Sequence, residues 1–257
     1  MLIEDQDLRH APYHPTIVRP LLNAYAIAHR TGVLNTSVGD ALFSRAYFAY
    51  KRFEDPHAAL IRAHPEIFRG GNVIDVGANI GYTTVLFARA IDVGFKVFAL
   101  EPEEENFARL ERNLRRHRVA ERVVATRAAA GAASGSVGLR VNPMHHGDHQ
   151  VDPAGSSVPL VALDEFPLPI RFVKIDVQGY EPAVLAGMPK LLQTDITVST
   201  EVDVPSLRSF GYTIADVEAS MRDFSPHRIC KHGLEKIASI KDAIDRRGYA
   251  DVIWRRS

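Results

Sequence analysis

The chain has 257 residues, and 46% of them are hydrophobic, so it can bury a large core as one domain or as a domain with an extension. Its 31 basic and 31 acidic side chains cancel, which argues against bulk, non-specific binding to nucleic acid or anionic membrane. The first residues are charged, and no apolar run approaches the ~20 residues of a membrane span. The lone Cys230 cannot form an internal disulfide and suits a reducing compartment. We therefore expect a soluble cytoplasmic protein that binds a small molecule.

Residues 1–69 precede the first predicted strand and are expected to form an N-terminal unit of their own. Helical patches lie at 21–29 and 41–50, and several prolines interrupt the chain before them. We predict a helical cap or oligomer arm, and its apolar residues are consistent with a homodimer.

From residue 70 to the end of the chain, short β-rich runs alternate with helical stretches. Such alternation predicts a mostly parallel sheet covered by helices on both faces. The final run, ADVIWRR, is predicted to be a last strand that is antiparallel in a mixed sheet. The earlier predicted strands are 72–76, 96–100, 122–127, 171–177 and 195–202.

The helix after the second predicted strand is the best specified. Pro102 suits a first helical position, acidic residues follow it, and basic residues end the helix. Phe107, Leu110 and Leu114 recur at helical spacing and are expected to face the sheet. The basic run could instead be a nucleic-acid patch, but a solvated outer face is favoured.

The glycine-rich segment 131–159 is predicted to be an inserted hairpin followed by a mobile loop. Its run NPMHHGDHQ contains His145, His146, Asp148 and His149, the densest titratable cluster of the chain. Three interpretations stay open: a solvated loop, a metal site for Zn, Mn or Fe, and a lid that carries a base. The irregular spacing specifies no ligand geometry, so we assign no metal.

The segment VIDVGANIGYTTVLFARA predicts a strand, a glycine turn and the start of a helix. Asp75 ends the strand, Gly77 permits a tight turn, and Gly81 lets the helix N-terminus approach a ligand without a Cβ. Glu101 ends the second strand, where a carboxylate can accept hydrogen bonds from ribose hydroxyls. Together these features predict an adenosine-containing ligand. The alternative is that Gly77 and Gly81 are ordinary turn and packing glycines and that Glu101 is a helix-start carboxylate.

The choice of ligand depends on charge and on the glycine count. A dinucleotide site needs G-x-G-x-x-G, and this turn offers only Gly77, Asn79 and Gly81, with Asp75 just upstream. S-adenosylmethionine has no phosphate and carries an ammonium and a sulfonium, so an acidic strand end is favourable beside it and unfavourable beside a pyrophosphate. S-adenosylmethionine is therefore favoured over NAD.

The segment RFVKIDVQGYEPAVLAGMPKLL is the most specific stretch of the chain. It resembles the signature of the FkbM methyltransferase family, in which K-I-D-V-E-G ends a fourth strand and precedes a second Glu and a V-L-x-G helix. The turn at Gly77, the Glu101 strand, the run SVPLVALDEF and the GDH at 147–149 also follow the family order, so the resemblance covers about 73–202. Gln178 stands where the family usually has Glu, which puts an ionised role at that position in doubt.

This resemblance implies an α/β class I methyltransferase fold, Rossmann-like, with a mixed, mostly parallel sheet over 70–257. It also implies transfer of a methyl group from S-adenosylmethionine, usually to a hydroxyl oxygen. Carried onto this sequence, the implied cofactor residues are Asp75, Gly77, Asn79, Gly81, Glu101, Asp148 and Asp176.

The catalytic candidates are His149, Asp176 and Glu181. Asp176 and Glu181 follow the fourth strand at the carboxyl edge of the sheet, where open α/β folds bind ligands, and Glu201 ends the fifth strand there. Glu181 could equally be a first-turn carboxylate. Following the GDH resemblance, we choose His149 as proton acceptor or substrate orienter.

The sequence thus predicts O-methylation of a small or medium acceptor, of sugar or secondary-metabolite type, by direct in-line displacement. The N-terminal cap and the 131–159 insertion are expected to close over this acceptor. Two alternatives stay open at this point. One is an NAD-dependent oxidoreductase, and the other is a non-catalytic scaffold that keeps cofactor binding, for which Gln178 is the supporting feature.

Overall fold

The structure, a computed structural model, describes residues 44, 45, 47, 48, 56–140, 150–152, 154–230 and 233–256. The described strands are β1 Asn72–Val76, β2 Val97–Leu100, β3 Val123–Thr126, β4 Ala129–Ala130, β5 Gly135–Arg140, β6 Gln150–Val151, β7 Ser156–Val161, β8 Ile170–Ile175, β9 Thr197–Asp203, β10 Phe224–Cys230, β11 Gly233–Lys236 and β12 Tyr249–Arg256. The described α-helices of at least six residues are α1 His57–Ala63, α2 Tyr82–Ala90, α3 Glu104–Arg116, α4 Glu181–Ala186, α5 Val204–Ser209 and α6 Ile214–Ser220.

An eight-stranded sheet in the order β11-β10-β12-β9-β8-β1-β2-β3 forms the centre of the fold. The neighbours from β9 to β3 are parallel, while β12 runs antiparallel between β9 and β10. All five residues of β1 and all four of β2 are buried, as expected for central parallel strands covered on both faces. The predicted α/β fold, with a mixed and mostly parallel sheet and an antiparallel last strand, is confirmed.

Alternate residues of the central strands enter two apolar clusters on opposite faces of the sheet. Ile74 and Val173 belong to one cluster, and their neighbours Val73 and Phe172 belong to the other. Leu60 of α1 and Phe68 of the 3-10 turn Pro65–Phe68 also lie in the second cluster. The packed core therefore includes part of the segment that the sequence assigned to the N-terminal unit.

A smaller sheet of four strands, in the order β4-β7-β5-β6, occupies the predicted insertion. Strands β5 and β7 are antiparallel over five residue pairs, which gives the hairpin-like unit that the glycines indicate. Gly138 permits the close approach, since a Cβ there would lie 2.0 Å from the carbonyl oxygen of Asp152. The described part of the insertion therefore forms a second sheet together with β4.

Two local features differ from the expectation. Helix α3 begins after Glu103, whose side chain caps the amides of Glu105 and Asn106, so Pro102 precedes the helix. The antiparallel pair β10 and β11 was not predicted, because Pro226, His227 and Arg228 break its apolar alternation. Within the part of the chain that the structure describes, no helix is long and apolar enough to cross a bilayer.

Candidate functional site

The glycine turn after β1 joins three strands at the carboxyl edge of the sheet. Gly77 has φ +75°, and its amide and that of Ala78 donate to the carbonyl of Leu100 at the end of β2, at 3.0 and 2.9 Å. On the other side, a Cβ on Gly77 would lie 1.9 Å from the carbonyl oxygen of Asp176. The turn thus needs glycine for its backbone conformation and for its contact with the end of β8.

The second glycine of the turn caps helix α2. Gly81 has φ +92°, and a Cβ there would lie 2.6 Å from Cδ1 of Leu110 on α3. Asn79, with φ +50°, accepts a hydrogen bond from the amide of Ile80 on its side-chain oxygen at 2.8 Å. The start of α2 is therefore held close to α3, with backbone groups of the turn directed at the sheet edge.

Glu101, at the end of β2, lies against this turn and is only 4% exposed. Its carboxyl oxygens accept hydrogen bonds from the amides of Asn79, at 2.8 Å, and Glu103, at 3.0 Å. Burial raises the pKa of Glu101 to about 7, the two amides oppose the shift, and the nearby charges of Glu103 and Asp176 add to it. Glu101 can therefore gain or lose a proton near neutral pH.

Asp75, the fourth of the five residues of β1, is completely buried. Its Oδ2 accepts hydrogen bonds from the hydroxyls of Thr83, at 3.0 Å, and Thr84, at 2.6 Å, in the first turn of α2. Nζ of Lys174 lies 3.5 Å from its Oδ1. The carboxylate therefore fixes the start of α2, and Lys174 supplies the balancing charge.

Asp176 follows β8 and is the more accessible carboxylate, with 23% of its side chain exposed. Nζ of Lys174 lies 3.0 Å from its Oδ2, and the amide nitrogen of Gln178 donates to its Oδ1 at 3.3 Å. Lys174 thus stands between Asp75 and Asp176 and forms an ion pair with each of them.

Gln178 also reaches the next strand. Its amide nitrogen donates to Oε1 of Glu201 at 3.2 Å, and the hydroxyl of Tyr249 donates toward Oε2 of Glu201 at 3.0 Å. That hydroxyl also lies 3.2 Å from Oδ2 of Asp251, which pairs directly with Glu201 across the antiparallel strands. Burial and these carboxylates raise the pKa of Tyr249 far above its ordinary value, so the phenol keeps its proton.

Glu181, the first residue of α4, is 1% exposed and points into the loop that precedes it. Its Oε1 accepts hydrogen bonds from the amides of Val177 and Gly179, both at 3.2 Å. Its Oε2 is buried without a hydrogen-bond partner among the described residues. Burial raises the pKa of Glu181 to about 7 against the opposing effect of the amides.

Replacement of Glu181 by Gln is expected to stabilise the protein at pH 8 by up to about 3 kcal/mol, the equivalent of the shift from 4.5 to about 7. The amide side chain keeps an acceptor for the two loop amides and never has to ionise while buried. Since the folded-state pKa of Glu181 is raised, its contribution to stability is fully present below about pH 4.5 and is lost as the pH rises through about 7.

Urea unfolding of the wild-type and Glu181→Gln proteins at pH 5 and pH 8 measures this effect. The gain in the free energy of unfolding should be large at pH 8 and small at pH 5. The variant should still lose some stability between these pH values, but less than the wild type does, because Glu101 titrates in the same range. The exposed Glu121→Gln is the matched control and should change neither value. An equal effect of Glu181→Gln at both pH values would contradict a buried, titrating carboxyl.

The described site brings the predicted residues Gly77, Asn79, Gly81, Glu101 and Asp176 together at the carboxyl edge of β1, β2 and β8. Asp75 and Glu181 are buried beside this edge, where Asp75 accepts from the hydroxyls at the start of α2 and Glu181 accepts from backbone amides of the loop after β8. His145, His146, Asp148 and His149 lie outside the described residues. Tyr249 and Asp251, which the sequence analysis did not select, enter the site from the distant strand β12.

A comparison with protein families matches residues 75–232 to the methyltransferase FkbM domain. The matched segment is more than half of the chain and contains the glycine turn, Glu101 and the β8 loop. The chain belongs to the FkbM methyltransferase family. The resemblance found in the sequence is thereby confirmed, and the oxidoreductase alternative loses its basis.

Among curated proteins, the chain is 33% identical over 136 residues to the hexuronic acid methyltransferase AglP of Haloferax volcanii. The matched segment covers 50% of this chain and 54% of that relative, so the chain spans about half the length of the relative it matches.

Two solved structures show weaker similarity. Methyltransferase FkbM from Methylobacillus flagellatus is 14% identical with a TM-score of 0.47, and the match covers 92% of this chain and 58% of that one. An O-methyltransferase from Bacillus cereus in complex with SAH is 14% identical with a TM-score of 0.46, over 96% and 94% of the two chains.

Proposed function

We propose that the protein transfers a methyl group from S-adenosylmethionine to a hydroxyl oxygen of a small or medium acceptor, of sugar or secondary-metabolite type. Membership in a methyltransferase family supports the reaction class. The observation that carries the cofactor assignment is the position of Glu101, whose carboxyl group lies at the end of β2 against the turn from Gly77 to Gly81. A carboxylate there can accept hydrogen bonds from both ribose hydroxyls of an adenosine.

The residues present fit S-adenosylmethionine better than a pyrophosphate. The edge carries Glu101 and Asp176, and negative charge attracts an ammonium or sulfonium and repels a phosphate. Gly77 and Gly81 let the turn pack tightly against Asp176 and Leu110, and the backbone amide of Asn79 between them donates to Glu101.

We propose roles for the other predicted cofactor residues. Asp75 is proposed to act indirectly, because the hydroxyls of Thr83 and Thr84 that donate to it hold the helix start that the cofactor would approach. Asp176 is proposed to contact the methionine part of the cofactor or the acceptor. Asp148 is proposed to contact one of them from the inserted loop.

When bound, S-adenosylmethionine supplies an electron-poor methyl carbon, so the protein has mainly to position an oxygen in line with it and exclude water. Asp176, beside Lys174, is proposed to orient the acceptor hydroxyl. His149 is proposed to act from the inserted loop as proton acceptor or substrate orienter, and Glu181 is proposed to act as a positioning residue that fixes the loop after β8.

The name of the Haloferax relative points to a hexuronic acid as the acceptor class. Such a sugar offers two kinds of oxygen, its hydroxyls and its carboxylate. The described edge carries Asp176, Glu201 and Asp251, whose charges would repel a carboxylate placed beside them. We therefore propose that the acceptor atom is a hydroxyl oxygen and that the product is a methyl ether.

Incubation with methyl-labelled S-adenosylmethionine and matched acceptors tests this proposal. The panel contains the methyl glycosides of glucuronic and galacturonic acid, the corresponding neutral hexosides, and a small-molecule extract of host cells. We expect a labelled product that survives mild base, because an ether does and a methyl ester does not. A base-labile product would overturn the hydroxyl assignment, and absence of transfer to every acceptor would overturn the proposed activity.

A further inference from the structure

The loop after β8 directs the side chain of Gln178 at two strand ends. Gln178 has φ +54°, a left-handed conformation that is uncommon for a residue with a Cβ, and Gly179 follows with φ +97°. Glu181 holds both flanking amides, those of Val177 and Gly179, on one carboxyl oxygen. The unusual conformation is therefore fixed by neighbouring contacts, and it determines where the Gln178 side chain points.

The amide of Gln178 bridges two carboxylates on adjacent strands. Its nitrogen lies 3.3 Å from Oδ1 of Asp176 and 3.2 Å from Oε1 of Glu201, so each of its two N–H groups has one acceptor. The opposite amide orientation would place its oxygen against both carboxylates. Both partners therefore require the nitrogen between them.

Glu201 is held from its other side as well. The Tyr249 hydroxyl lies 3.0 Å from its second oxygen, and that phenol keeps its proton because Asp251 and Glu201 both flank it. Two neutral donors from two different elements thus fix one carboxyl group at the carboxyl edge of β9. Fixed orientation of this kind is what a proton-accepting or substrate-orienting group requires.

The residue type at 178 matters for the charge balance. A Glu, which the family usually has there, would place a third carboxyl group about 3 Å from two others, and the Lys174 ammonium beside Asp176 would offset only part of the repulsion. Gln donates to both instead, so Asp176 and Glu201 can stay ionised side by side. The departure from the family pattern is therefore compatible with an active site and does not by itself indicate a scaffold.

We propose that Glu201 is a catalytic carboxylate that binds the acceptor hydroxyl and takes its proton, and that Gln178 is the positioning residue that fixes it. This inference rests on the proposed function. In the step, the acceptor oxygen forms a bond to the methyl carbon, and the carbon–sulfur bond breaks with its electron pair on sulfur. The hydroxyl proton passes to the Glu201 carboxylate, so charge and atoms balance.

Glu201→Gln and Gln178→Met, singly and together, test the pair. Both substitutions keep side-chain length, the first removes the basic oxygen, and the second removes the two donors. We expect kcat to fall on the order of 100-fold for Glu201→Gln and about tenfold for Gln178→Met, with affinity for S-adenosylhomocysteine unchanged within about twofold. Since Gln178 acts through Glu201, the double variant should be no slower than Glu201→Gln alone.

The exposed Gln193→Met is the matched control, and we expect it to keep full activity. Melting temperatures of all variants exclude unfolding as the cause of a loss. If the wild-type protein transfers methyl groups, two results would overturn this inference alone. One is an unchanged kcat in Glu201→Gln, and the other is a loss in the double variant equal to the product of the two single losses. A wild-type protein that binds no S-adenosylhomocysteine or methylates no acceptor would overturn the proposed function and this inference with it.

Discussion

Replacement of Glu101 by Ala is expected to lower the affinity for S-adenosylhomocysteine about 100-fold. The buried carboxylate is proposed to accept a hydrogen bond from each of two ribose hydroxyls. Each hydrogen bond to a charged group is worth about 1.5–3 kcal/mol, and a total loss of about 3 kcal/mol corresponds to about 100-fold in affinity. The variant also leaves the amides of Asn79 and Glu103 without their acceptor. Calorimetric titration measures the change directly.

The pH dependence of this affinity is a sharper test of Glu101. Because its pKa is about 7, Glu101 is protonated in most molecules of the free protein at pH 6 and in few of them at pH 8. If the ligand prefers the ionised form, the dissociation constant should be about tenfold larger at pH 6 than at pH 8. Glu101→Gln should bind more weakly at pH 8 and show no such dependence.

Glu104→Gln is the matched control for the Glu101 variants. Glu104 lies in the first turn of α3, is 84% exposed and pairs with Arg127. We expect its replacement to change neither the affinity nor its pH dependence. Unchanged affinity in Glu101→Ala would contradict the ribose assignment, and a pH-independent wild-type affinity would contradict the role of its protonation state.

Replacement of Gly77 by Ala is expected to have the largest effect on folding. A left-handed backbone costs a residue with a Cβ about 1–2 kcal/mol, and the added atom would lie 1.9 Å from the carbonyl oxygen of Asp176. That oxygen belongs to the backbone at the end of β8 and cannot rotate away. We expect a loss of several kcal/mol in the free energy of unfolding by urea, or no folded protein at all.

Gly70→Ala separates the two causes of this loss. Gly70 has the same φ of +75°, but a Cβ there would meet nothing within 4 Å. Its replacement should therefore show only the conformational cost, about 1–2 kcal/mol. Equal stabilities of the two variants would refute the tight contact between the glycine turn and β8.

The central strands could be predicted to within two residues because their signal is local. Each is a short, apolar, β-rich run between turns, and burial on both faces leaves no alternation to misread. The glycine turn was predictable for the same reason, since Gly77 and Gly81 are needed by the backbone itself. The unpredicted pair β10 and β11 lacks that local signal.

The roles of the carboxylates depended on contacts that sequence spacing does not contain. Glu181 stands at a helix start in either interpretation, and only the left-handed conformation at Gln178 and Gly179 turns its side chain back into the loop. The position of Asp75 near the end of a strand indicates a carboxylate that faces a ligand. In the structure it accepts hydrogen bonds from the hydroxyls of Thr83 and Thr84 in helix α2 instead.

Long-range partners were the hardest to foresee. Tyr249 reaches Glu201 from 48 positions away, and this pairing follows from the antiparallel placement of β12 beside β9. The role of Gln178 is a related case, because an amide in place of the family's Glu gains meaning only once Glu201 is found next to it. The prediction for His149 remains a prediction.

Calorimetric titration of the wild-type protein with S-adenosylhomocysteine, and separately with NAD, tests the central claim most directly. We predict saturable binding of S-adenosylhomocysteine at one site per chain, an affinity about 100-fold lower in Glu101→Ala, and no heat of binding for NAD. Binding of NAD instead, or S-adenosylhomocysteine binding that is indifferent to Glu101, would contradict an adenosyl cofactor held at the carboxyl edge of β1 and β2.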